Sequence, residues 1–418
     1  VTGKMWYIIP VITTVSTLDR KNNREAITMD DHQTQLKNIN RRTVLNYIRK
    51  HTHATKAGLA SATGFTFAAV KKILDELENQ GLVRFACIEK KAVGRNSAMY
   101  EINPDFGYMI SLYMNRKEIH VAVVNLGRKI VARRRIPMEN RCLSQKELVE
   151  QLLSSVQEVM EEAGAAREKY IGVGIGVPGP IDMEQGMVLT PPNMPMLHYL
   201  PLRDILQSRL GLPVYLHKDT NVIALGEFWN EEGRGSESLF YLDVDMGIGS
   251  GMITNGKINA GAEGKAGEFG HVTIDLNGPV CKCGNRGCLE AMASGIAVLR
   301  DFRTELEKHP EHPLYPRREC LEIDDLAQAY REKDMIAVPI INRAAFYVGI
   351  GVANVINLLD PEKVVLGGLF LRDFESSYEI ITNVAVQRMM KKGNGRNIVK
   401  SQLGADAGVI GCAEVVID

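Results

Sequence analysis

The sequence predicts an α/β fold that follows a short module of helices, and three observations support this prediction. Beyond residue 104, strand-like segments alternate with helical ones and glycines follow the strands, which is typical of α/β architectures. Residues 40–100 have the pattern of three helices followed by two short strands. One histidine and three cysteines lie between residues 271 and 288, separated by turn-forming glycines.

The composition is that of an ordinary soluble protein with several domains. A chain of 418 residues is too long for one hydrophobic core, and its length suggests roughly two to four domains. The hydrophobic content is 45%, the charged content is 24% and the formal net charge is zero, so a preference for nucleic acid requires a local patch. The apolar run at residues 5–15 is too short to span a bilayer, so no membrane insertion is expected.

The seven cysteines do not resemble a disulfide framework. Three of them are clustered, and the other four are scattered along the chain: Cys87, Cys142, Cys320 and Cys412. This pattern is expected of a protein in the reducing cytosol. We therefore expect a cytoplasmic location.

The N-terminal part is predicted to be a poorly ordered extension, residues 1–36, followed by a winged helix-turn-helix domain, residues 37–104. An apolar stripe marks the first helix at residues 44–48, and Thr55 is a plausible N-cap of the second. Thr66 caps the third helix, which Gly81 ends. Two helices joined by a Gly-containing turn form the helix-turn-helix unit, and the following hairpin would be its wing.

This module is strongly basic. Residues 40–100 contain eleven Lys/Arg and four Asp/Glu, a net charge of +7 (11 − 4), and such patches neutralise DNA phosphates. The residues expected to contact DNA are those at the start of the third helix and one at the tip of the wing, which could enter a minor groove: Thr66, Ala68, Lys71, Lys72 and Arg95. The alternative is a small helical docking module with a solvated basic face.

The larger C-terminal region is predicted to alternate strands and helices. Strands are expected at residues 108–114, 119–124, 170–177, 238–244 and 363–366, and helices at residues 148–163 and 340–359. A glycine turn follows the strand at 238–244, and its backbone N–H groups could hold phosphate or sugar oxygens. For any single turn, however, the simpler explanation is that glycine permits a positive φ.

The clustered histidine and cysteines predict a zinc site. The spacing Cys-x-Cys-x4-Cys lies among Gly, Asn, Lys and Arg residues rather than in an apolar run. Zinc prefers four tetrahedral N/S ligands, and a site closed by four protein side chains is structural. The predicted ligands are His271, Cys281, Cys283 and Cys288. The alternative is that the cysteines are small core residues and that His271 is a hydrogen-bonded surface group.

Several motifs in this order resemble those of the ROK family of repressors, uncharacterised reading frames and sugar kinases, over roughly residues 40–418. The matching runs are GVGIGVPGPID at 172–182, DTNVIALGE at 219–227, AGEFGH at 266–271, the cysteine cluster through Glu290, and VLGG at 365–368. The resemblance implies two actin-like, ribonuclease-H-like lobes, residues 105–226 with 405–418 and residues 227–404, with a sugar in the cleft. For the members of the family that are regulators, it also implies a winged helix N-terminal to these lobes.

The resemblance further implies roles for individual residues. In the kinases of this family, the aspartate that matches Asp219 takes a proton from the sugar hydroxyl. The residues that match Glu268, His271 and Glu290 hold sugar hydroxyls, and we add Asn193 to this set. His271 would give one ring nitrogen to zinc and offer the other to the ligand.

Two departures from the family pattern matter. The kinases begin this region with Asp-x-Gly-Gly-Thr, a loop that holds ATP phosphates, whereas residues 111–117 here contain no glycine and no acid. Phosphoryl transfer depends on positioning and charge stabilisation, so we expect no kinase activity. The second departure is Lys218, where the kinases commonly have asparagine. This lysine could pair with Asp219 or could meet an acidic or phosphorylated ligand.

The leading hypothesis is a DNA-binding transcriptional regulator, most simply a repressor of carbohydrate-metabolism genes, that responds to a sugar or sugar phosphate and contains Zn²⁺. It would form a homodimer or homotetramer, because paired half-sites on DNA mirror protein symmetry. One alternative is an ATP-dependent sugar kinase for a hexose or N-acetylhexosamine. Another is a regulator that answers to a protein partner, such as a sugar-transport component.

Overall fold

The computed structural model describes residues 29–90, 96–138, 143–191, 194–230, 233, 235–390, 395 and 397–418. The predictions for residues 1–28, Arg95 and Asn193 fall outside these described residues. The chain divides into two compact units: unit 1 is Val1–Val222 with Gly408–Asp418, and unit 2 is Ile223–Ala407.

The described part of unit 1 begins with three helices and a small sheet. The helices are α1 (Met29–His51), α2 (Lys56–Thr63) and α3 (Phe67–Asn79). The strands are β1 (Ala54–Thr55), β2 (Val83–Glu89) and β3 (Ser97–Ile102), in the order β1-β3-β2. The predicted caps are confirmed: Thr55 Oγ1 accepts the N–H of Gly58, and Thr66 Oγ1 accepts the N–H of Ala69. We call these elements the N-terminal module.

The body of unit 1 is a five-stranded mixed sheet. Its strands are β4 (Tyr108–Met114), β5 (Glu118–Asn125), β6 (Ile130–Pro137), β7 (Tyr170–Val177) and β10 (Val214–Lys218), in the order β10-β7-β4-β5-β6. The first three strands are antiparallel, and β7 and β10 continue the sheet in parallel. The short strands β8 (Ile181–Asp182) and β9 (Met187–Val188) pair separately. Helices α4 (Gln145–Ala163) and α5 (Leu202–Leu210) cover an apolar core.

Unit 2 contains a second five-stranded sheet. Its strands are β11 (Ser238–Val244), β12 (Ile248–Thr254), β13 (Lys257–Ile258), β14 (Lys363–Gly367) and β15 (Ile398–Lys400), in the order β13-β12-β11-β14-β15. Its helices are α6 (Asp219–Trp229), which begins in unit 1, α7 (Leu289–Ala293), α8 (Gly295–Leu306), α9 (Ile323–Arg331), α10 (Ala337–Leu359), α11 (Leu369–Asp373) and α12 (Ser377–Arg388). Among the described residues, α10 alone is long and apolar enough to cross a membrane, and 61% of its apolar window is buried inside the protein.

The C-terminal helix α13 (Ala405–Ile417) returns the chain from unit 2 to unit 1. It packs on β7 at alternating glycines, and a Cβ added to Gly174 would lie 1.7 Å from the carbonyl oxygen of Cys412. Only glycine permits this close approach between helix and strand. The repeated glycines of this strand therefore serve packing within unit 1.

The predicted α/β architecture is confirmed, and the strands predicted at residues 170–177 and 238–244 coincide with β7 and β11. The starts of α2 and α3 were predicted correctly, but those of α1, α4 and α10 were placed too late. Helix α4 starts at Gln145 rather than at residue 148, because Ser144 and Glu147 form a capping box before the apolar stripe. Helix α1 likewise starts at Met29, well before the apolar stripe near residue 44.

Candidate metal centre and exposed basic helix

The four predicted metal ligands lie together. The ligand atoms of His271, Cys281, Cys283 and Cys288 are all within 4.8 Å of one another. Nδ1 of His271 is 3.6 Å from Sγ of Cys281, and the Sγ atoms of Cys283 and Cys288 are 3.7 Å apart. A tetrahedral zinc site with Zn–S distances of about 2.3 Å separates its sulfur atoms by about 3.8 Å. The donor set and its spacing therefore fit Zn²⁺.

Tight backbone turns bring these side chains together. The N–H of Cys281 donates to the carbonyl of Asn285 over 2.7 Å, and the N–H of Gly284 donates to the carbonyl of Cys281 over 3.0 Å. Gly287 has φ +68° and its Cβ would lie 1.5 Å from the carbonyl oxygen of Asp275. Only glycine fits at this position. The glycines of the predicted motif thus shape the cluster itself.

The cysteine thiols differ in acidity. The backbone N–H of Asn285 lowers the pKa of Cys283, whereas burial and the neighbouring thiols raise the pKa of Cys288 to about 12. A bound divalent cation deprotonates a coordinating thiol. A bound cation would therefore favour the thiolate form of Cys288 against the burial that raises its pKa.

The cluster segment packs against the hairpin of β11 and β12. A Cβ on Gly270 would lie 2.2 Å from the carbonyl oxygen of Ile248. Oγ of Ser250 donates to the carbonyl of Gly267 over 2.8 Å, and the N–H of Ile248 donates to Oε2 of Glu290 over 2.9 Å. The segment that carries the cysteines thus holds the hairpin by packing and by hydrogen bonds at both of its ends.

The residues predicted to bind sugar fall into both units. Glu268 precedes the short 3₁₀ turn Phe269–His271, and Glu290 is the second residue of α7. His271 turns Nδ1 toward Cys281, which leaves Nε2 as the nitrogen for another partner. Asp219 is the first residue of α6 and belongs to unit 1, and its Oδ1 accepts the N–H of Thr220 over 2.7 Å.

The predicted DNA-contacting residues on α3 are exposed. The cap residue Thr66 and the helical residues Ala68, Lys71 and Lys72 are all exposed, while Val70, Leu74 and Leu77 are buried. Sequence reasoning missed Phe67, the first residue of α3, whose side chain is 56% exposed. Its position directly after the cap residue was the available signal.

The N-terminal module is joined to the rest of unit 1 by a buried carboxylate that sequence reasoning also missed. Glu414 on α13 is 1% exposed, and its two oxygens accept hydrogen bonds from Nη2 of Arg49 over 2.5 Å and from Nε of Arg128 over 2.8 Å. Arg49 lies in the last turn of α1. A buried charge with two cationic partners costs several kcal/mol to break, so the end of α1 is firmly attached to α13.

Comparisons with known proteins agree with this architecture. The model of the ROK family matches residues 109–418. The xylose repressor of Caldicellulosiruptor bescii is 32% identical over 392 residues, which cover 93% of this chain and 98% of the repressor. The glucokinase of Thermotoga maritima is 38% identical over 248 residues, covering 58% of this chain and 78% of the kinase.

A solved structure agrees as well. The crystal structure of a ROK family transcriptional regulator, a homologue of the Escherichia coli Mlc protein, has a TM-score of 0.75 and 26% identity. The match covers 91% of this chain and 96% of that regulator.

Proposed function

Because the chain belongs to the ROK family, we propose that it is a DNA-binding transcriptional regulator, most simply a repressor of carbohydrate-metabolism genes that responds to a sugar. The similarity to a xylose repressor along nearly the whole chain carries this proposal. An alignment that covers 93% of this chain leaves out far fewer residues than the N-terminal module contains, so it includes part or all of that module. Under this proposal, residues 37–104 form the DNA-binding domain, residues 105–226 with 405–418 the first lobe, and residues 227–404 the second.

We interpret the N-terminal module as a winged helix-turn-helix. Helices α2 and α3 are joined through Gly64, whose φ of +72° makes the tight turn, and β2 and β3 form the hairpin that follows. In such modules, the second helix of the pair enters the major groove by its N-terminal residues. Lys71 and Lys72 are exposed there, so they contact phosphates or base edges. Arg95 remains our candidate for the wing.

The proposed effector is a sugar or sugar phosphate. Asp219, Glu268, His271, Glu290 and Asn193 are the proposed hydroxyl-binding residues, by their match to the family motifs. Xylose is the first candidate, because the relatives include xylose repressors. Lys218, the last residue of β10, either pairs with Asp219 or meets an acidic group of the effector.

We propose that His271, Cys281, Cys283 and Cys288 bind Zn²⁺. The metal would supply a structural crosslink, because four protein ligands leave no position for a reactive water. Glu268 and Glu290 flank these ligands in the sequence, and His271 keeps Nε2 for a hydroxyl. A metal-bound histidine ordinarily needs such a partner for its other nitrogen. Zinc would thus fix the residues that recognise the sugar.

A ligand alters DNA binding only if it has different affinities for two arrangements of the protein. Helix α13 is suited to transmit such a difference, because the chain passes from unit 2 to unit 1 within it and Glu414 ties it to Arg49 of the module. The active species would be a cytoplasmic homodimer or homotetramer. The alternative is that a sugar-transport protein, and not a sugar, binds the regulator and supplies the signal.

A binding experiment tests the proposal. The zinc-loaded full chain is mixed with DNA duplexes that carry a randomised core, and retained duplexes are isolated and measured by gel shift with and without xylose, other pentoses and hexoses. We expect selective retention that one sugar weakens several-fold. Failure to retain any duplex would contradict the DNA-binding function. If duplexes are retained and no sugar changes their binding, the proposal of a sugar effector is wrong.

A further inference from the structure

The first turn of α3 presents an apolar surface to solvent. Phe67 is 56% exposed, and Ala68 and Ala69 beside it are exposed as well. The turn contains no acidic residue, and its cap residue Thr66 uses Oγ1 to accept the N–H of Ala69 over 3.2 Å. Exposure of one aromatic side chain is ordinary by itself, so its meaning depends on what surrounds it.

Charge identifies the occupant of this surface. Lys71 and Lys72 follow the apolar turn in the next turn of the helix and are exposed as well, and residues 40–100 have a net charge of +7 (11 − 4). Strongly basic surroundings favour a polyanion, rather than an apolar protein surface, as the binding partner. The proposed helix-turn-helix function, on which this inference rests, directs the same turn into the major groove of DNA.

We infer that Phe67, with Ala68, reads the 5-methyl groups of thymine in the operator. Base edges with hydrogen-bonding groups are read by Arg, Lys, Asn, Gln, Asp, Glu, Ser or Thr, and the sequence from Phe67 to Val70 contains none of these. The thymine methyl group is the apolar feature of the major groove, and Ala and Phe are among the side chains that contact it. In this arrangement the lysines contribute affinity for DNA of any sequence, and the aromatic ring contributes specificity for thymine.

The test replaces thymine by uracil, which removes the methyl group and keeps base pairing. A duplex selected from the randomised pool by the full chain is synthesised in a thymine form and in a uracil form, and the Kd of each is measured. We expect the uracil form to bind about fourfold more weakly for each contacted methyl group, the factor expected for one buried methyl-sized group. Phe67→Ala should lower this preference for the thymine form, because Ala68 keeps only the smaller part of the contact.

Matched variants separate this role from others. Phe85→Ala removes an aromatic side chain of the same module that is 50% exposed but lies on β2, and it should keep the preference for thymine. Lys71→Ala should weaken binding to both forms equally and reduce the salt dependence. Phe67→Leu should keep part of the preference. Since Phe67 is exposed, none of its variants should lower the melting temperature by more than a degree or two.

Three results would overturn the inference. The wild type could bind the thymine and uracil forms equally, Phe67→Ala could keep the wild-type ratio, or Phe67→Ala could change the oligomeric state instead of the ratio. Each of these leaves the proposed function intact, because DNA is still bound. Absence of binding to every duplex would instead contradict the proposed function itself.

Discussion

The two five-stranded sheets have the same topology, but their first hairpins are stabilised in different ways. In unit 1 the order β6-β5-β4-β7-β10 places an antiparallel trio beside two parallel strands, and in unit 2 the order β13-β12-β11-β14-β15 repeats this plan. In each sheet the chain enters through a hairpin of its first two strands. The turns of those hairpins are where the two units diverge.

The turn of unit 1 satisfies its own backbone. Asn115 follows β4, and its Oδ1 accepts the N–H groups of Lys117 and Glu118 over 2.8 and 2.9 Å. The N–H of Asn115 donates to the carbonyl of Glu118 over 3.1 Å. These N–H groups are therefore engaged within the turn and are not directed at a ligand.

The turn of unit 2 is bonded to a distant segment as well as to itself, where the N–H of Met246 donates to Oδ1 of Asp245 over 2.6 Å. The N–H of Ile248 donates to Glu290, and the carbonyls of Asp245 and Met246 accept the N–H groups of Gly295 and Ile296. Both Glu290 and the first residues of α8 directly follow the cysteine cluster. The hairpin of unit 1 is therefore held by bonds within its own turn, whereas the hairpin of unit 2 adds to its local bonds a set of bonds to the segment that follows the candidate metal ligands.

The largest expected effect comes from removing a metal ligand. Cys283→Ser should lose about one zinc ion per chain and lower the melting temperature by on the order of 10 °C. Because Cys283 is exposed, this change removes little packing, so a loss of stability reports the metal. Zinc content by mass spectrometry and thermal unfolding provide the measurements.

The matched control is Cys320→Ser, an exposed cysteine outside the cluster. It should leave both zinc content and melting unchanged. If Cys283→Ser behaves like this control, the metal assignment is wrong and the hairpin of unit 2 is stabilised without it.

A smaller effect is expected from Gly270→Ala, which tests the packing of the cluster segment on the hairpin. The added Cβ would lie 2.2 Å from the backbone carbonyl oxygen of Ile248, so the segment must move. We expect the free energy of unfolding to fall by about 3 kcal/mol, toward the upper end of overpacking costs. Urea denaturation measures this change.

Gly211→Ala is the comparison for Gly270→Ala. Gly211 ends α5 with φ +61°, and apart from its chain neighbours no atom of the described residues lies within 4 Å of its added Cβ, so only backbone strain of about 1 kcal/mol is expected. A cost at Gly270 no greater than at Gly211 would show that the hairpin of unit 2 does not depend on this contact.

Asn115→Ala should have a still smaller effect, in the other hairpin. It leaves two N–H groups of the partly exposed turn to water, at a cost of about 1–2 kcal/mol. Asn115→Asp keeps an acceptor oxygen and should restore most of this stability. Zinc content should be the same in both variants, and a loss of zinc on changing Asn115 would mean that the two hairpins are not independent.

Local sequence patterns predicted the parts of the molecule that are stabilised locally. Thr55 and Thr66 were identified as helix caps because a cap interacts with the next turn of the same helix. The four candidate metal ligands were found because they lie close together in the sequence as well as in space.

The interactions that sequence reasoning missed join distant residues. Glu290 and Ile248 are 42 positions apart, and Glu414 and Arg49 are 365 positions apart. Hydrophobic periodicity carries no information about which charged or polar groups meet once the elements pack. For the same reason, the sequence placed Asp219 among the sugar-binding residues only through resemblance to a family.

The smallest expected effect is the response to ATP, and it bears directly on the hairpin of unit 1. A coupled assay with ATP, Mg²⁺ and a panel of pentoses and hexoses should detect no phosphoryl transfer, because the turn at Asn115 has no glycine loop with N–H groups for phosphates. A recognised sugar should raise the melting temperature on its own, and ATP should add nothing to that shift. Turnover that Asp219→Asn abolishes would identify a kinase. It would also mean that this protein positions ATP phosphates without a glycine loop after β4. The closed turn at Asn115 would then not distinguish a regulator from a kinase.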